Sequence, residues 1–285
     1  MLSWKVGAVT ISCVVETVFR IPHDPQGWFL RDATPSALKA SPWLYPHFAN
    51  EDGSLNVYVQ ALLVDTPGLK LMVDTCIGND KPRGLTGGYP LATSFLQHLM
   101  DAGWSRDSVD AVLCTHLHVD NVGWNTMLVD GKWVPTFPKA RYLIGKREFE
   151  HWSNEADDEQ QAIMGDSVQP IFDAGLVELV EMGYRISPEV RLRPTPGHTP
   201  GHVSVMIESE GQSAVITGDI AHHPCQMAHP EWATSFDSDT QASTATRAKL
   251  FAEWADQPIL VIGTHYAAPT AGYVKRDGAA FRFAV

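Results

Sequence analysis

Several features are scarce in this chain of 285 residues, and each absence excludes a class of protein. Only four cysteines occur, at positions 13, 76, 114 and 225, and no two of them form a CxxC pair. This spacing excludes a disulfide framework, which a chain of this length does not need for stability. Cys76 and Cys114 lie in apolar runs, so we expect buried thiols there. No apolar run reaches the roughly 18 residues that a membrane-spanning helix requires.

Basic residues are also scarce, since 21 Lys and Arg stand against 33 Asp and Glu, which gives a net charge of −12. This balance argues against nucleic acid or an anionic membrane as the main partner. Hydrophobic residues make up 44% of the chain, enough for a substantial core. The N-terminal "MLSWKVGAVTISCVVETVF" alternates and lacks a small-residue cleavage site. We interpret it as a first strand rather than a signal peptide, and we therefore expect a cytoplasmic protein.

Short apolar runs predict many β-strands, and three segments predict helices. The helical segments are "LATSFLQHLMDAG", which stops at Gly103, "KREFEHW" directly after "RYLIG", and "DTQASTATRAKLFAEWADQ". The predicted strands are "KVGAVTISCVV", "VYVQALLVDT", "LKLMVDT", "VDAVLCTH", "RYLIG", "VELVEM", "VRLRPTP", "HVSVMIES", "SAVITGD" and "PILVIGTH". Residues 153–173 are polar and acidic, consistent with a helix or a mobile connection. We expect one α/β domain over residues 1–285, built from two similar halves, approximately 1–150 and 175–285, packed sheet on sheet with helices outside.

Metal-binding residue types cluster at the predicted strand ends. In "CTHLHVDN", His116 and His118 are two positions apart and would point the same way in an extended segment. The further candidates are Asp120 in the same segment, His198 and His202 in "TPGHTPGHVS", Asp219 in "VITGDI", His222 and His223 directly after it, and His265 in "VIGTHYAAP". A single histidine at a strand end is usually a hydrogen-bonded surface residue. Five such segments together predict a metal site, because rigid strand ends can bring donors to one point.

The donor types narrow the choice of metal. Imidazole and carboxylate donors without a cysteine suit Zn²⁺, Mn²⁺, Fe²⁺ or Co²⁺. Cys114 precedes the histidine motif but lies within the predicted strand, so we do not expect it to bind metal.

The segments "THLHVDN", "TPGHTPGH", "TGD" and "GTH" resemble, in this order, the metal motifs of the metallo-β-lactamase fold superfamily. They span residues 115–266, and the strand pattern extends the resemblance to nearly the whole chain. The segments "GDIAHHPCQMAHPEWATSFDSD" and "WLYPHFANEDGSLNVYVQALLVDT" are most similar to the methyl parathion hydrolase and lactonase-like branch. The resemblance implies an αββα sandwich of two mixed β-sheets, with a metal site at one edge and helices on the outer faces.

The resemblance also implies a ligand set. The first ion takes His116, His118 and His198, the second takes Asp120 and His265, and Asp219 bridges the two. His202 matches no ligand, and we interpret it as a support for its loop. Asn121 stands where the superfamily has a histidine ligand of the second ion. The amide oxygen is a weaker donor, which favours one or two Zn²⁺ ions with a weakened second site. Normal filling with Asn121 or water as ligand, and a mononuclear site, remain as alternatives.

The function implied by the resemblance is metal-dependent hydrolysis of a small ester, lactone or phosphotriester. A metal-bound hydroxide would be the nucleophile. Asp120 is the candidate group to orient it and accept its proton, and His222 or His223 would hold the substrate or protonate the leaving group. Two alternatives stay open, an iron-dependent oxidoreductase of the same fold and a ligand-binding member with a decayed second metal site.

We expect the substrate to occupy a partly aromatic pocket. Two or three of six loop aromatics should line it: Trp28, Phe29, Trp43, Phe48, Trp124 and Trp232. The expected partner is a small molecule, with no nucleic acid and no membrane, and a homodimer is left open.

Overall fold

The computed structural model describes residues 1–285, which form fifteen β-strands and seven α-helices. The strands are β1 (Ser3–Val6), β2 (Val9–Ile21), β3 (Leu55–Thr66), β4 (Leu69–Val73), β5 (Ala111–Cys114), β6 (Thr126–Val129), β7 (Lys132–Pro135), β8 (Arg141–Gly145), β9 (Val177–Val180), β10 (Val190–Pro194), β11 (Val203–Ser209), β12 (Gln212–Ile216), β13 (Ile259–Ile262), β14 (Ala271–Asp277) and β15 (Ala280–Ala284). The helices are α1 (Pro35–Leu38), α2 (Phe95–Asp101), α3 (Lys146–Trp152), α4 (Asp158–Ile163), α5 (Gln169–Asp173), α6 (Cys225–Ala228) and α7 (Thr240–Trp254).

The strands form two large sheets and one hairpin. The first sheet has the order β1-β2-β3-β4-β5-β8-β9, the second has the order β10-β11-β12-β13-β14-β15, and β6 pairs only with β7. Both large sheets are mixed, because β4, β5, β8 and β9 run parallel in the first and β12 runs parallel to β13 in the second. Each parallel pair is joined by a crossover segment rather than a tight turn, as parallel pairing requires.

The two sheets pack face to face through the apolar sides of their central strands. Leu113 of β5 and Val205 of β11 belong to one fully buried cluster between the sheets. On the outer face of the first sheet, α2 buries Phe95 and Leu99. On the outer face of the second sheet, α7 buries Leu250 in a separate cluster. Four layers result, in the order helix, sheet, sheet, helix, which confirms the predicted fold class.

Most predicted elements are present, with some differences in their limits. The predicted first strand is a hairpin of β1 and β2, because Gly7 turns the chain with a φ of +57°. Residues 153–173 are mainly helical, with α4 and α5 joined by a π-helical turn over Met164–Val168. The strand in "VELVEM" is β9, which pairs with β8 and so extends the first sheet rather than the second. The β6–β7 and β14–β15 hairpins were not predicted.

All four cysteines are buried and free, which agrees with the expectation of buried thiols at positions 76 and 114. The Cys114 thiol contacts the Asn125 side chain rather than the predicted metal ligands. None of the helices has the combination of length and apolarity that is needed to cross a bilayer.

Candidate metal centre

Four strand ends bring the predicted donors to one edge of the sandwich. His116 and His118 follow β5 in the first sheet. From the second sheet come His198 after β10, Asp219 after β12 and His265 after β13. These side chains are buried or nearly so, and they meet at the base of a cavity. The strand ends therefore position donors from both sheets around one point.

Three histidines form the tightest group of donors. The Nε2 atom of His198 lies 3.2 Å from Nε2 of His116 and 2.9 Å from Nδ1 of His118. Nδ1 of His198 contacts the Asp237 carboxylate at 2.9 Å, and Nδ1 of His116 contacts the Thr115 hydroxyl at 3.1 Å. Each Nδ1 can thus keep the proton, which leaves two Nε2 lone pairs facing each other. A tetrahedral Zn²⁺ places its donors about 3.4 Å apart, so this group fits a cation.

Asp219 lies at the centre of the second group. Its Oδ2 atom is 3.1 Å from Nε2 of His265, 3.4 Å from Nε2 of His222, 3.6 Å from Nε2 of His198 and 3.7 Å from Nε2 of His116. Burial opposes its ionisation, but His265 and His116 hold the pKa of Asp219 well below its usual range. Its Oδ1 atom is buried without any partner. A carboxylate between two sets of nitrogens, with one oxygen unsatisfied, fits a position that bridges two ions.

His265 and Asp120 complete the second group. Nδ1 of His265 donates to the Tyr58 carbonyl at 2.8 Å, so its Nε2 faces the Asp219 carboxylate and lies 3.6 Å from Oδ2 of Asp120. Although burial opposes a charged ring, the Asp219 carboxylate raises the pKa of His265 to about 10. The carboxylates around Nε2 of His265 therefore favour a positive charge there. Either a proton or a metal ion can provide it.

His202 supports the centre without joining it. Its Nε2 accepts the backbone N–H of Asp219 at 2.8 Å, and its Nδ1 lies 2.8 Å from the Thr195 hydroxyl. This is the loop-supporting role expected from the sequence. The adjacent Gly218 has a φ of +56°, and a Cβ there would lie 2.5 Å from Nε2 of His202. Only glycine lets the chain pass this close to the ring while Asp219 enters the cluster.

The two histidines after Asp219 separate in the fold. His222 lines the cavity beside Asp219. His223 is buried on the far side, where Nε2 contacts the Phe48 carbonyl at 2.9 Å and Nδ1 accepts the Cys225 N–H at 3.1 Å. Both ring nitrogens of His223 are thus engaged by backbone groups. The structure therefore contradicts the candidate role of His223, whose ring does not reach the cavity, while the role of His222 stays a prediction.

Asn121 lies among the donors, at the position where the resemblance expects a ligand. Its side chain is fully buried. The amide Nδ2 is 3.1 Å from Oδ1 of Asp120 and 3.3 Å from Nε2 of His116, while Oδ1 has no partner. Asn121 therefore presents an N–H group, rather than a lone pair, to the centre.

Three carboxylates that position the donors were missed in the sequence. Asp237 holds His198, and Asp74 accepts the N–H of Thr115 at 2.8 Å. Glu148 of α3 accepts from the Leu117 N–H at 3.1 Å and from the N–H of residue 201 at 2.9 Å, which ties the two histidine loops together. Asp74 follows the apolar strand β4, as the predicted ligands follow theirs, so its position was a usable signal. Asp237 and Glu148 carry no such signal.

A cavity of about 680 Å³ opens above the donors. This volume is within the usual range for small-molecule sites. Its non-donor walls are mostly apolar: Phe19, Ile21, Trp28, Phe29, Val57, Val59, Leu85, Val119, Trp152, Ile163 and Phe236. Of the six loop aromatics considered in the sequence, Trp28 and Phe29 line the cavity. Trp43 packs on the core, and Phe48, Trp124 and Trp232 are buried within it.

The charged residues around the cavity are all acidic or histidine. Asp157 and Glu159 stand at its wall, and no lysine or arginine lines it. Trp28 and Phe236, which are 44% and 38% exposed, form an aromatic pair with ring centroids 5.0 Å apart. The cavity thus combines an apolar wall with donors for a cation and has no side chain that pairs with an anion.

The family model of the metallo-beta-lactamase superfamily matches residues 55–265, which covers most of the chain and every predicted metal ligand. The chain belongs to this superfamily. The match confirms the resemblance that the motifs indicated, and it agrees with the four-layered fold.

Among superfamily relatives, an N-acyl homoserine lactonase of Bacillus thuringiensis is 24% identical over 225 residues, which cover 73% of this chain and 82% of the relative. An N-acyl homoserine lactonase of Bacillus sp. is 26% identical over 152 residues, or 53% of this chain and 54% of that relative. This chain therefore spans about half the length of the second relative.

Two solved structures are similar to this chain over almost its whole length. AidC, a dizinc quorum-quenching lactonase in complex with a product, has a TM-score of 0.77 at 22% identity, covering 99% of this chain and 95% of AidC. The hydrolase AbOPH has a TM-score of 0.77 at 23% identity, covering 99% of this chain and 96% of AbOPH. At these identities the likeness establishes the shared fold.

Proposed function

We propose that this chain is a metal-dependent hydrolase that opens neutral lactones and esters with an apolar chain, N-acyl homoserine lactones being the best-fitting class. The observation that carries the proposal is the cluster of imidazole and carboxylate donors at the base of an apolar cavity. The lactonase names of the relatives support the substrate class.

The donor set fits Zn²⁺, since imidazole nitrogens dominate and no thiolate takes part. His116, His118 and His198 would hold one ion, and Asp120, Asp219 and His265 a second. A bound ion would act as a Lewis acid and lower the pKa of a water to about 7.

The chain's own groups complete the chemistry around the donors. Asp120 lines the cavity, and its carboxylate would orient an attacking water and take up its proton. Asp237 keeps His198 in the tautomer that leaves Nε2 free. His222 lines the cavity beside Asp219, so its ring is the candidate to contact a bound substrate.

The charge around the cavity selects neutral substrates. An anionic substrate would find no lysine or arginine to pair with its charge, while Asp157 and Glu159 would repel it at the wall. Lactone opening converts a neutral ring into a carboxylate, and the same two acidic residues would then favour its departure. Phosphomonoesters and other small anions should be poor substrates for the same reason.

The apolar wall provides binding energy for a hydrocarbon chain. Phe19 and Ile21 of β2, together with Trp28, Phe29 and Phe236, offer a surface that leads from the donors to solvent. Burying each methylene group of such a chain contributes about 0.8 kcal/mol. Activity should therefore increase with the length of the acyl chain until it reaches the exposed aromatic pair.

The test is a substrate panel with zinc-loaded protein of measured metal content. The panel contains N-acyl homoserine lactones, aryl esters, neutral phosphotriesters and anionic phosphomonoesters. We expect turnover of the lactones and esters, its loss in His118→Ala, and normal rates in the matched control His229→Ala, whose side chain pairs with Glu231 outside the cavity. Metal-loaded protein that turns over no neutral substrate contradicts the proposal. Oxygen uptake by an iron-loaded sample would instead support the oxidoreductase alternative.

A further inference from the structure

The second group of donors lacks one imidazole at position 121. Asn121 directs its amide N–H toward Asp120 and His116, and its buried oxygen has no partner. In either orientation of the amide, the only ligand atom is a neutral carbonyl oxygen, which suits hard cations better than Zn²⁺. Asp120, Asp219 and His265 alone would leave the second ion one protein nitrogen short.

His222 offers an imidazole on the open side of Asp219. Its Nε2 lies 3.4 Å from Oδ2 of Asp219, and its ring is parallel to that of His265 at a centroid distance of 5.9 Å. The His222 backbone is held by Oε1 of Gln226, which accepts its N–H at 2.7 Å. Phe29 packs against the ring edge with its centroid 6.1 Å away. The backbone of His222 is therefore held by Gln226, and one edge of its ring packs on Phe29.

Two imidazole nitrogens lie as close to one oxygen of Asp219 as two donors of a single ion lie to each other. Nε2 of His265 and Nε2 of His222 stand 3.1 Å and 3.4 Å from the same carboxylate oxygen. Donors of one tetrahedral Zn²⁺ are about 3.4 Å apart. The ligand atoms of His222 and Asp219 also lie within 4.8 Å of that of His198, so His222 stands close to both groups of donors. A histidine in this loop does not have to lie close to Asp219. The ring of the next residue, His223, instead contacts backbone groups.

We propose that His222 replaces the missing imidazole and binds the second ion together with Asp120, Asp219 and His265. The inference rests on the proposed metal-dependent function. It also means that Asn121 need not weaken the second metal site, as the sequence alone led us to expect. The second site is then complete, with its nitrogen supplied from the loop after β12 rather than from the loop after β5. Asn121 keeps a different task, the orientation of Asp120 through the amide N–H.

Zinc stoichiometry and affinity test this assignment without reference to turnover. Metal-free protein is titrated with Zn²⁺ against a chromophoric chelator, and bound zinc is counted by elemental analysis. The variants are His222→Ala, Asn121→His and the double variant Asn121→His/His222→Ala, with His229→Ala as a matched control that removes an imidazole outside the cavity. His222→Gln, which keeps side-chain volume, accompanies His222→Ala, and circular dichroism verifies that each variant folds.

We expect two ions in the unaltered protein and in His229→Ala, one ion in both His222 variants, and two again in the double variant. Loss of His222 should weaken the binding of the second ion by more than about 100-fold. A residue that only hydrogen-bonds to a metal ligand changes the affinity by about 100-fold at most. Two tightly bound ions in His222→Ala, or failure of Asn121→His to restore the second ion to it, would overturn the assignment. A single ion in the unaltered protein would also overturn it while leaving a mononuclear hydrolase intact. No bound zinc at all would instead refute the proposed function.

Discussion

Replacing Asp237 with alanine removes the group that holds His198 in its metal-binding tautomer. The Asp237 carboxylate accepts from Nδ1 of His198 at 2.9 Å, and both side chains are almost fully buried. Loss of such a partner typically weakens metal binding by 10- to 100-fold. This corresponds to about 1.4–2.8 kcal/mol of binding free energy. The effect should fall on the ion that we propose is bound by His116, His118 and His198.

The assay is competition for Zn²⁺ between the protein and a chelator of known affinity. Asp239→Ala is a matched control, because Asp239 lies two residues away and its carboxylate accepts from the Ala242 N–H at the start of α7. This control should lower the free energy of unfolding by about 1 kcal/mol through loss of a helix cap and leave zinc affinity unchanged. Zinc affinities in Asp237→Ala that stay within twofold of the unaltered protein would refute the argument from the tautomer.

Three further predictions concern the cavity, the loop before Asp219 and a buried lysine. Trp28→Ala should raise KM roughly 10-fold for long-chain lactones but not for short-chain ones. Tyr273→Ala, which lies outside the cavity, should leave KM unchanged for both, and steady-state kinetics over a series of acyl-chain lengths tests this. Gly218→Ala should lower the unfolding free energy by at least about 1–2 kcal/mol and reduce zinc content, because the new Cβ meets His202; thermal melting and elemental analysis measure both effects. Burial lowers the pKa of Lys81 to about 7, so the folded state binds fewer protons than the unfolded state above that pH, and stability should rise from about pH 7 toward the ordinary lysine value of 10.5. Urea unfolding of Lys81→Met should show that this rise is absent.

The sequence predicts well which of the candidate side chains meet in the fold, because each follows an apolar strand. Such strands end at one edge of a sheet, so His116, His198, Asp219 and His265 could be expected to meet although up to 149 positions separate them (265 − 116 = 149). The direction of a side chain within a loop is harder to predict. His222 and His223 have the same residue type and neighbouring positions, and only the fold separates them.

The groups that hold the donors were not predictable from local pattern. Glu148 lies in a short helix and Asp237 in an irregular loop, and each acts on a residue more than 30 positions away in the sequence. The pairing of β9 with β8 was unpredictable for a similar reason. The segment 153–173 folds into short helices that return the chain to the first sheet, and nothing in "VELVEM" itself distinguishes the two possible sheets.

The loop of residues 235–237 joins the cavity wall to the metal centre. Ser235 donates through its backbone N–H and its hydroxyl to the Trp28 carbonyl, both at 3.0 Å. Phe236 then lines the cavity, and Asp237 holds His198. If the proposed centre binds zinc, substitutions in this loop that change substrate preference should also change zinc retention. Phe19 and Ile21 line the same cavity from strand β2, which carries none of the candidate ligands, so they are the safer positions for a laboratory-evolution library.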